Sequence, residues 1–138
     1  MSPDVEAQAG PQAISRAMDG AEAWHDAGRL QLWSTPRHAD FYSLAFSLDS
    51  TVDAIDNIAG VLARQVASYS TGRRVLDDSG TVDPLVRLDT AAGHLQEFRR
   101  ALITAKREIN DYWSEISHVG VDPDPQDQNP GEVTDPGW

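Results

Sequence analysis

The chain contains no cysteine. Disulfides, thiolate nucleophiles and cysteine-held zinc or iron–sulfur centres are therefore excluded, and the redox compartment cannot be read from cysteine usage. Lysine is almost as scarce. Lys106 is the single lysine among 11 basic residues, an arginine bias that points to a GC-rich coding sequence. No apolar run approaches the ~18 residues of a membrane span. The segment Met1–Gly10 is acidic where a signal peptide is basic and then apolar, so the expectation is a cytoplasmic protein without a leader. Also missing are Gly-x-x-x-x-Gly-Lys, Gly-x-Gly-x-x-Gly and Gly-x-Ser-x-Gly, and with them the familiar phosphate loops and the nucleophile elbow. The histidines, His25, His38, His94 and His118, show no His-Glu-x-x-His or other metal-ligand spacing. No cofactor, no metal site and no catalytic constellation is expected.

What the chain does have is an apolar heptad. It runs through Phe41, Ala45, Leu48, Val52, Ile55, Ala59, Leu62, Val66 and Tyr69, the spacing of a long helix with one buried seam. A second series follows from Leu85 through Leu88, Ala92, Leu95, Phe98, Leu102, Ala105, Ile109, Tyr112 and Ile116 to Val119. Between them, Ser70–Val82 holds Gly72, Asp77-Asp78 and Ser79-Gly80, residues that favour turns. The fold expected is all-α, an antiparallel bundle of three helices built on a long helical hairpin. The helix boundaries follow from local chemistry. Ser34-Thr35-Pro36 predicts a capped start for the second helix, and Asp83-Pro84 repeats that signal for the third. The third should stop at Gly120 as a C′ glycine. The first helix is predicted from Gln12 to about Leu32, entered after Pro11 and docked on the hairpin because its seam is rich in small residues. Residues 1–11 then form a flexible N-terminus, 12–120 the bundle, and 121–138 an acidic, proline-rich, disordered tail.

The formal net charge is −11, which argues against direct binding of nucleic acid or an anionic membrane. Five acids and no base lie in 120–138, whereas 84–119 carries five of each. In the hairpin, residue i should face about 153 − i, which sets Arg99 and Lys106 against Asp49, Asp53 and Asp56. Such pairs fix register more than stability. Arg99, Arg100, Lys106 and Arg107 are alternatively an anion-binding patch. Leu62 should be fully buried in the seam.

Four residues are candidates for partner binding. Tyr42 and Phe46 stand four apart on the second helix and are expected to face away from the third, Trp113 flanks the third helix's seam, and Trp138 ends the acidic arm as a side chain that another protein can capture. A first helix lying over the Tyr42–Phe46 strip is the competing use of that surface.

Two resemblances bear on function. Arg87-Leu-Asp-Thr-Ala-Ala-Gly-His94 places an arginine and a histidine seven apart on one helix face. The pair resembles the Arg-x4-6-His signature of the HEPN family, helical-bundle ribonucleases in which those residues lie at a dimer cleft. That resemblance implies RNA cleavage, with Arg87 stabilising the phosphate and His94 acting on the ribose hydroxyl as acid or base. The hairpin is also similar in outline to the small secreted helical hairpins that carry Trp-x-Gly in the turn, but Ser70–Val82 contains no tryptophan.

The leading functional expectation is a non-enzymatic helical protein-interaction module, an adaptor or accessory subunit whose partner is another protein or a second copy of the chain. The second is an acidic inhibitor occupying the basic groove of a nucleic-acid-binding protein. The third is a HEPN-like ribonuclease using Arg87 and His94.

Overall fold

The computed structural model describes residues 2–121. Three helices lie within them, α1 (Pro3–Trp33), α2 (His38–Ala67) and α3 (Pro84–Ser117), and there is no strand among the described residues. The acidic tail from Asp122 and Trp138 lie outside the described residues. The chain divides into two units, one ending at Arg37 and the other beginning at His38.

The first unit is helix α1. It begins at Pro3, nine residues before the expected Gln12. Ser2 is extended at the N-cap, proline occupies the first turn, and Asp4 and Glu6 meet the positive end of the helix dipole. The stretch expected to be a flexible N-terminus is thus helical from Pro3 onward, and Pro11 lies inside the helix. An interior proline removes one backbone hydrogen bond at a cost of ~3 kcal/mol, and the surrounding Ala7, Ala9 and Ala13 favour helix on either side of it. At the other end, Ser34 donates both its backbone N–H (3.1 Å) and its Oγ (2.8 Å) to the Gln31 carbonyl. Ser34 therefore closes α1 instead of capping α2, which starts at His38. No residue of α1 is buried.

In the second unit, α2 and α3 pack against each other. Asp83 is the N-cap of α3 as its sequence predicts, accepting the Leu85 N–H at 2.9 Å with Pro84 in the first turn. The connection turns on Gly72 (φ 72°) and Gly80 (φ 69°), both in the left-handed region open to glycine. Helix α3 ends two residues early at Ser117, with His118 as a right-handed C-cap. With His118 as the C-cap, Val119 and not Gly120 is the C′ residue, so the expected C′ glycine does not close the helix, and the last carbonyls are met by the His118 and Val119 N–H groups.

The helices run antiparallel, with Asp49 against Lys106, Asp56 against Arg99 and His38 against Ile116. That is within two residues of the register expected from the connection. Where they touch, α2 presents small residues. Ala45 is 1% exposed, Ala59 and Ala63 are each 2% exposed, and Gly60 is buried beside them. No large side chain among the described residues is fully buried. Leu62, expected to be, is 41% exposed, because alanine and glycine hold the line of closest approach and the leucine lies to one side of it.

Candidate functional site

The hairpin has two long edges, and α2 determines both. At about 100° per residue, the charged positions between Leu44 and Gln65, namely Asp49, Asp53, Asp56 and Arg64, all lie on one side of the Ala45–Ala59–Ala63 line. On that side α3 supplies Arg99 and Lys106. Arg99 Nε donates to Asp56 Oδ1 at 2.8 Å and Nη2 to Oδ2 at 3.5 Å, a two-point clasp. The hydrogen bond from Arg99 holds the Asp56 carboxyl below the usual carboxylate range, and the Asp56 carboxylate raises the guanidinium in turn. Lys106 donates to Asp53 and lies 3.6 Å from Asp49 Oδ1, and its ammonium is raised, first by the Asp53 bond and then by the two aspartates' charge. Asp49 Oδ1 is buried and accepts no hydrogen bond, so the nearby ammonium is what compensates its charge. Gly60 makes the clasp fit: a Cβ there would lie 3.1 Å from Arg99 Cζ.

The other edge carries no charge between Leu44 and Gln65 of α2 or between Ala91 and Ala105 of α3. Leu48, Ile55, Ile58 and Leu62 on α2 and Phe98 and Tyr112 on α3 line it, each between 37% and 47% exposed. These side chains are half covered by the hairpin and half open to water. Tyr112 reaches across to α2, its hydroxyl 3.5 Å from the Phe41 carbonyl oxygen. Contiguous exposed apolar surface rimmed by polar residues occurs at interaction sites, at ligand grooves and on aggregation-prone faces. Sequence reading assigned Leu48, Ile55 and Leu62 to the buried seam and missed the strip. The signal was present in the spacing: the heptad alternates a small-residue column (Ala45, Ala59) with a large-residue column (Leu48, Ile55, Leu62), and Ile58 widens the second beyond what one facing helix covers.

The four predicted partner-binding residues separate. Tyr42, expected to face away from α3, is half-buried against it. Its hydroxyl donates to the Ile116 carbonyl at 3.4 Å, its ring centroid lies 6.1 Å from that of Trp113, and the His38 ring packs edge-on at 4.9 Å. His38 Nε2 also meets the Ile116 carbonyl at 3.0 Å. Tyr42 and Trp113 therefore close the open end of the hairpin. The cause is the centre of the seam: at about 100° per residue Tyr42 lies about 60° from the buried Ala45, and the last turns of α3 reach it there. Phe46 is 62% exposed and lies apart from that cluster on the charged side of α2. Trp138 lies outside the described residues.

At the loop end, Asp77 organises the connection. Its carboxylate accepts from Ser79 Oγ, from the Thr81 and Val82 N–H groups at 3.3 Å each, and from Arg87 Nε at 2.8 Å. Those bonds, Ser79 first and then Arg87, hold its carboxyl far below the usual range. One nitrogen of Arg87 is thus committed to the loop, while His94 stands exposed two turns along α3. Arg87 also lines an open concavity of about 560 Å³ with Tyr69, Arg73 and Arg74. Within it Arg73 is already engaged, stacked 4.5 Å above the Tyr69 ring and donating to the Tyr69 carbonyl. Of the sequence-predicted basic patch, Arg99 and Lys106 are held by aspartates and Arg100 pairs with Glu97. Among the described residues no three His, Asp or Glu side chains converge to hold a metal ion, and no helix is long and apolar enough to cross a membrane.

No protein-family model, curated protein or solved structure matches the chain.

Proposed function

We propose that the protein is a helical interaction module whose α2–α3 hairpin seats a partner helix along its uncharged edge. The observation that carries this reading is the strip from Leu48 to Leu62 with Phe98 and Tyr112, six large apolar side chains left half-exposed on one side of the hairpin. Covering them removes apolar area from water at about 25 cal/mol per Å². An amphipathic helix with apolar residues at i, i+3/i+4 and i+7 suits such a two-helix apolar face. The opposite edge, where aspartates already hold Arg99 and Lys106, has less unmet charge to offer a partner.

The test is binding by three forms of the chain, wild type, Ile58→Glu and Asp53→Ala. A partner seated on the apolar edge is retained by wild type and by Asp53→Ala, lost by Ile58→Glu, and survives about 1 M salt, where the Debye length falls to about 3 Å. A partner released by salt and indifferent to Ile58→Glu would replace this reading with the acidic-inhibitor one. RNA cleavage abolished by His94→Ala would replace it with the ribonuclease.

A further inference from the structure

The hairpin described above lacks a core of its own size. Its fully buried side chains are alanines, with a buried glycine between them, and helices of 30 and 34 residues need far more apolar burial than that to repay their ordering. The strip on the uncharged edge is therefore not an optional docking face. It needs a cover whenever the hairpin is folded.

Resting on the interaction reading, we infer that this cover is the same edge of a second copy of the chain, the two hairpins forming a four-helix bundle. Three observations favour a copy over an unrelated partner. The first is extent. From Leu44 to Gln65 the edge is about 30 Å long, and two helices side by side make it about 20 Å wide. That is about 600 Å² per copy before side-chain relief is counted, close to the roughly 800 Å² per partner of a stable interface.

The second is shape. The α2 half of the strip is bulky, with Leu48, Ile55, Ile58 and Leu62, while the α3 half is small between Phe98 and Tyr112, with Ala101 and Ala105. A two-fold axis parallel to the helices lays the α2 of each copy over the α3 of the other, setting large side chains into small ones on both sides. The third is charge. On a chain of net charge −11, the α2 half of this edge has no carboxylate between Leu44 and Gln65, Glu97 and Glu108 stand at the outer margin of the α3 half beside Ala101, and the aspartates on the far edge are held by Arg99 and Lys106. Because the two-fold sets the α2 half of one copy over the α3 half of the other, no carboxylate faces another across the contact.

The absence of native cysteine makes a clean test possible. Two differently tagged full-length chains are mixed, one carrying Ile55→Cys and the other Ala101→Cys, and oxidised gently. The control pair carries Asn57→Cys and Arg100→Cys on the outer helix faces. In parallel, sedimentation measures wild type and Ile58→Glu.

The expected result is a wild-type mass of twice 15.1 kDa and linked heterodimers from the Ile55/Ala101 pair only. Ile58→Glu should raise the dimer dissociation constant by about 100-fold or more, because it buries an unpaired charge. If that variant does not fold, the linkage result stands alone as the test. A dimer linked equally by the control pair, or unmoved by Ile58→Glu, overturns the inference by locating self-association elsewhere. A wild-type monomer at every concentration also overturns it, and labelling of Ile55→Cys by a thiol reagent then separates the two readings. Fast labelling leaves the edge open for another protein, so the interaction module stands without the dimer. Slow labelling means the edge is covered within the chain, and both fall.

Discussion

The two edges of the hairpin use the same helices for opposite purposes. On one, Asp49, Asp53 and Asp56 meet Arg99 and Lys106 across the pair, so the polar groups are satisfied within the chain. On the other, apolar side chains of similar number reach only half cover. Charged pairs at a surface contribute little stability but oppose slipping of one helix along the other, whereas apolar area stabilises without fixing register. One edge sets the alignment of α2 and α3, and the other leaves hydrophobic area half-exposed. The line of Ala45, Ala59 and Ala63 between them sets how closely the helices approach, and therefore how far both edges stand open.

The largest effect is expected from that dividing line. Ala59→Leu inserts three carbons into a position 2% exposed, and overpacking of this kind costs about 1 to 3 kcal/mol. Prying the helices apart should strain both edges, so chemical denaturation should show a loss at the upper end of that range. A near-zero loss would mean that the helices are not in close contact there, and the division into edges would fail with it.

A smaller effect is expected at Leu62. A fully buried leucine cut to alanine costs about 2 to 5 kcal/mol, but Leu62 is 41% exposed, and in the uncovered hairpin Leu62→Ala should cost about 1 kcal/mol. The loss should grow when the edge is covered, making it dependent on partner or protein concentration. A concentration-independent loss of several kcal/mol would place Leu62 in a closed core and remove the contrast between the edges.

Helix content, antiparallel pairing, the Asp83-Pro84 start and the Asp–Arg/Lys flank were all legible in the sequence, because each rests on local chemistry or on periodicity. The errors have two physical sources. Terminal signals compete: Ser34 can start one helix or finish another, and the hydrogen bonds to the Gln31 carbonyl decide for the latter. Pro11 reads as a beginning, yet Ser2-Pro3 lies upstream with the same chemistry. The second source is that a heptad gives an apolar stripe but not its centre. Leu48 and Leu62 share the stripe with Ala45 and Ala59, and only the packed geometry shows that the alanines take the middle. Tyr42 was misplaced for the same reason: it lies about 60° from Ala45 at about 100° per residue, on the side that Ile116 and Trp113 cover.

Gly60 sharpens the account of the polar edge. Replacing an interior helical glycine by alanine stabilises by about 1 kcal/mol when nothing opposes it. Here the new methyl would stand 3.1 Å from the Arg99 guanidinium and push it off Asp56. Gly60→Ala in the wild-type chain should therefore gain less than 1 kcal/mol, and in an Arg99→Ala background it should recover the full helix preference. Equal gains in both backgrounds, measured as a double-mutant cycle, would show that Arg99 does not rest on Gly60.

The smallest effect is the response to pH, which should belong to the polar edge alone. Asp56 is held below the ordinary aspartate value, chiefly by Arg99, so its contribution is complete above the unfolded value of about 3.9 and is lost as pH falls through the lower folded one. Lys106 is raised, chiefly by Asp53. Its contribution is complete below the unfolded value of about 10.4 and is lost as pH rises through the higher folded one. Stability from this edge should thus be level between about pH 5 and pH 10 and decline outside that window. Asp77 in the loop is lowered as well and declines over the same acid range, so the edge is isolated by difference curves, wild type minus Asp56→Asn in acid and wild type minus Lys106→Met in alkali. Ile58→Ala, on the apolar edge, should shift the whole denaturation profile down without changing its shape. A profile reshaped by Ile58→Ala, or left unchanged in shape by both Asp56→Asn and Lys106→Met, would show that the two edges do not divide the labour between charge and apolar area.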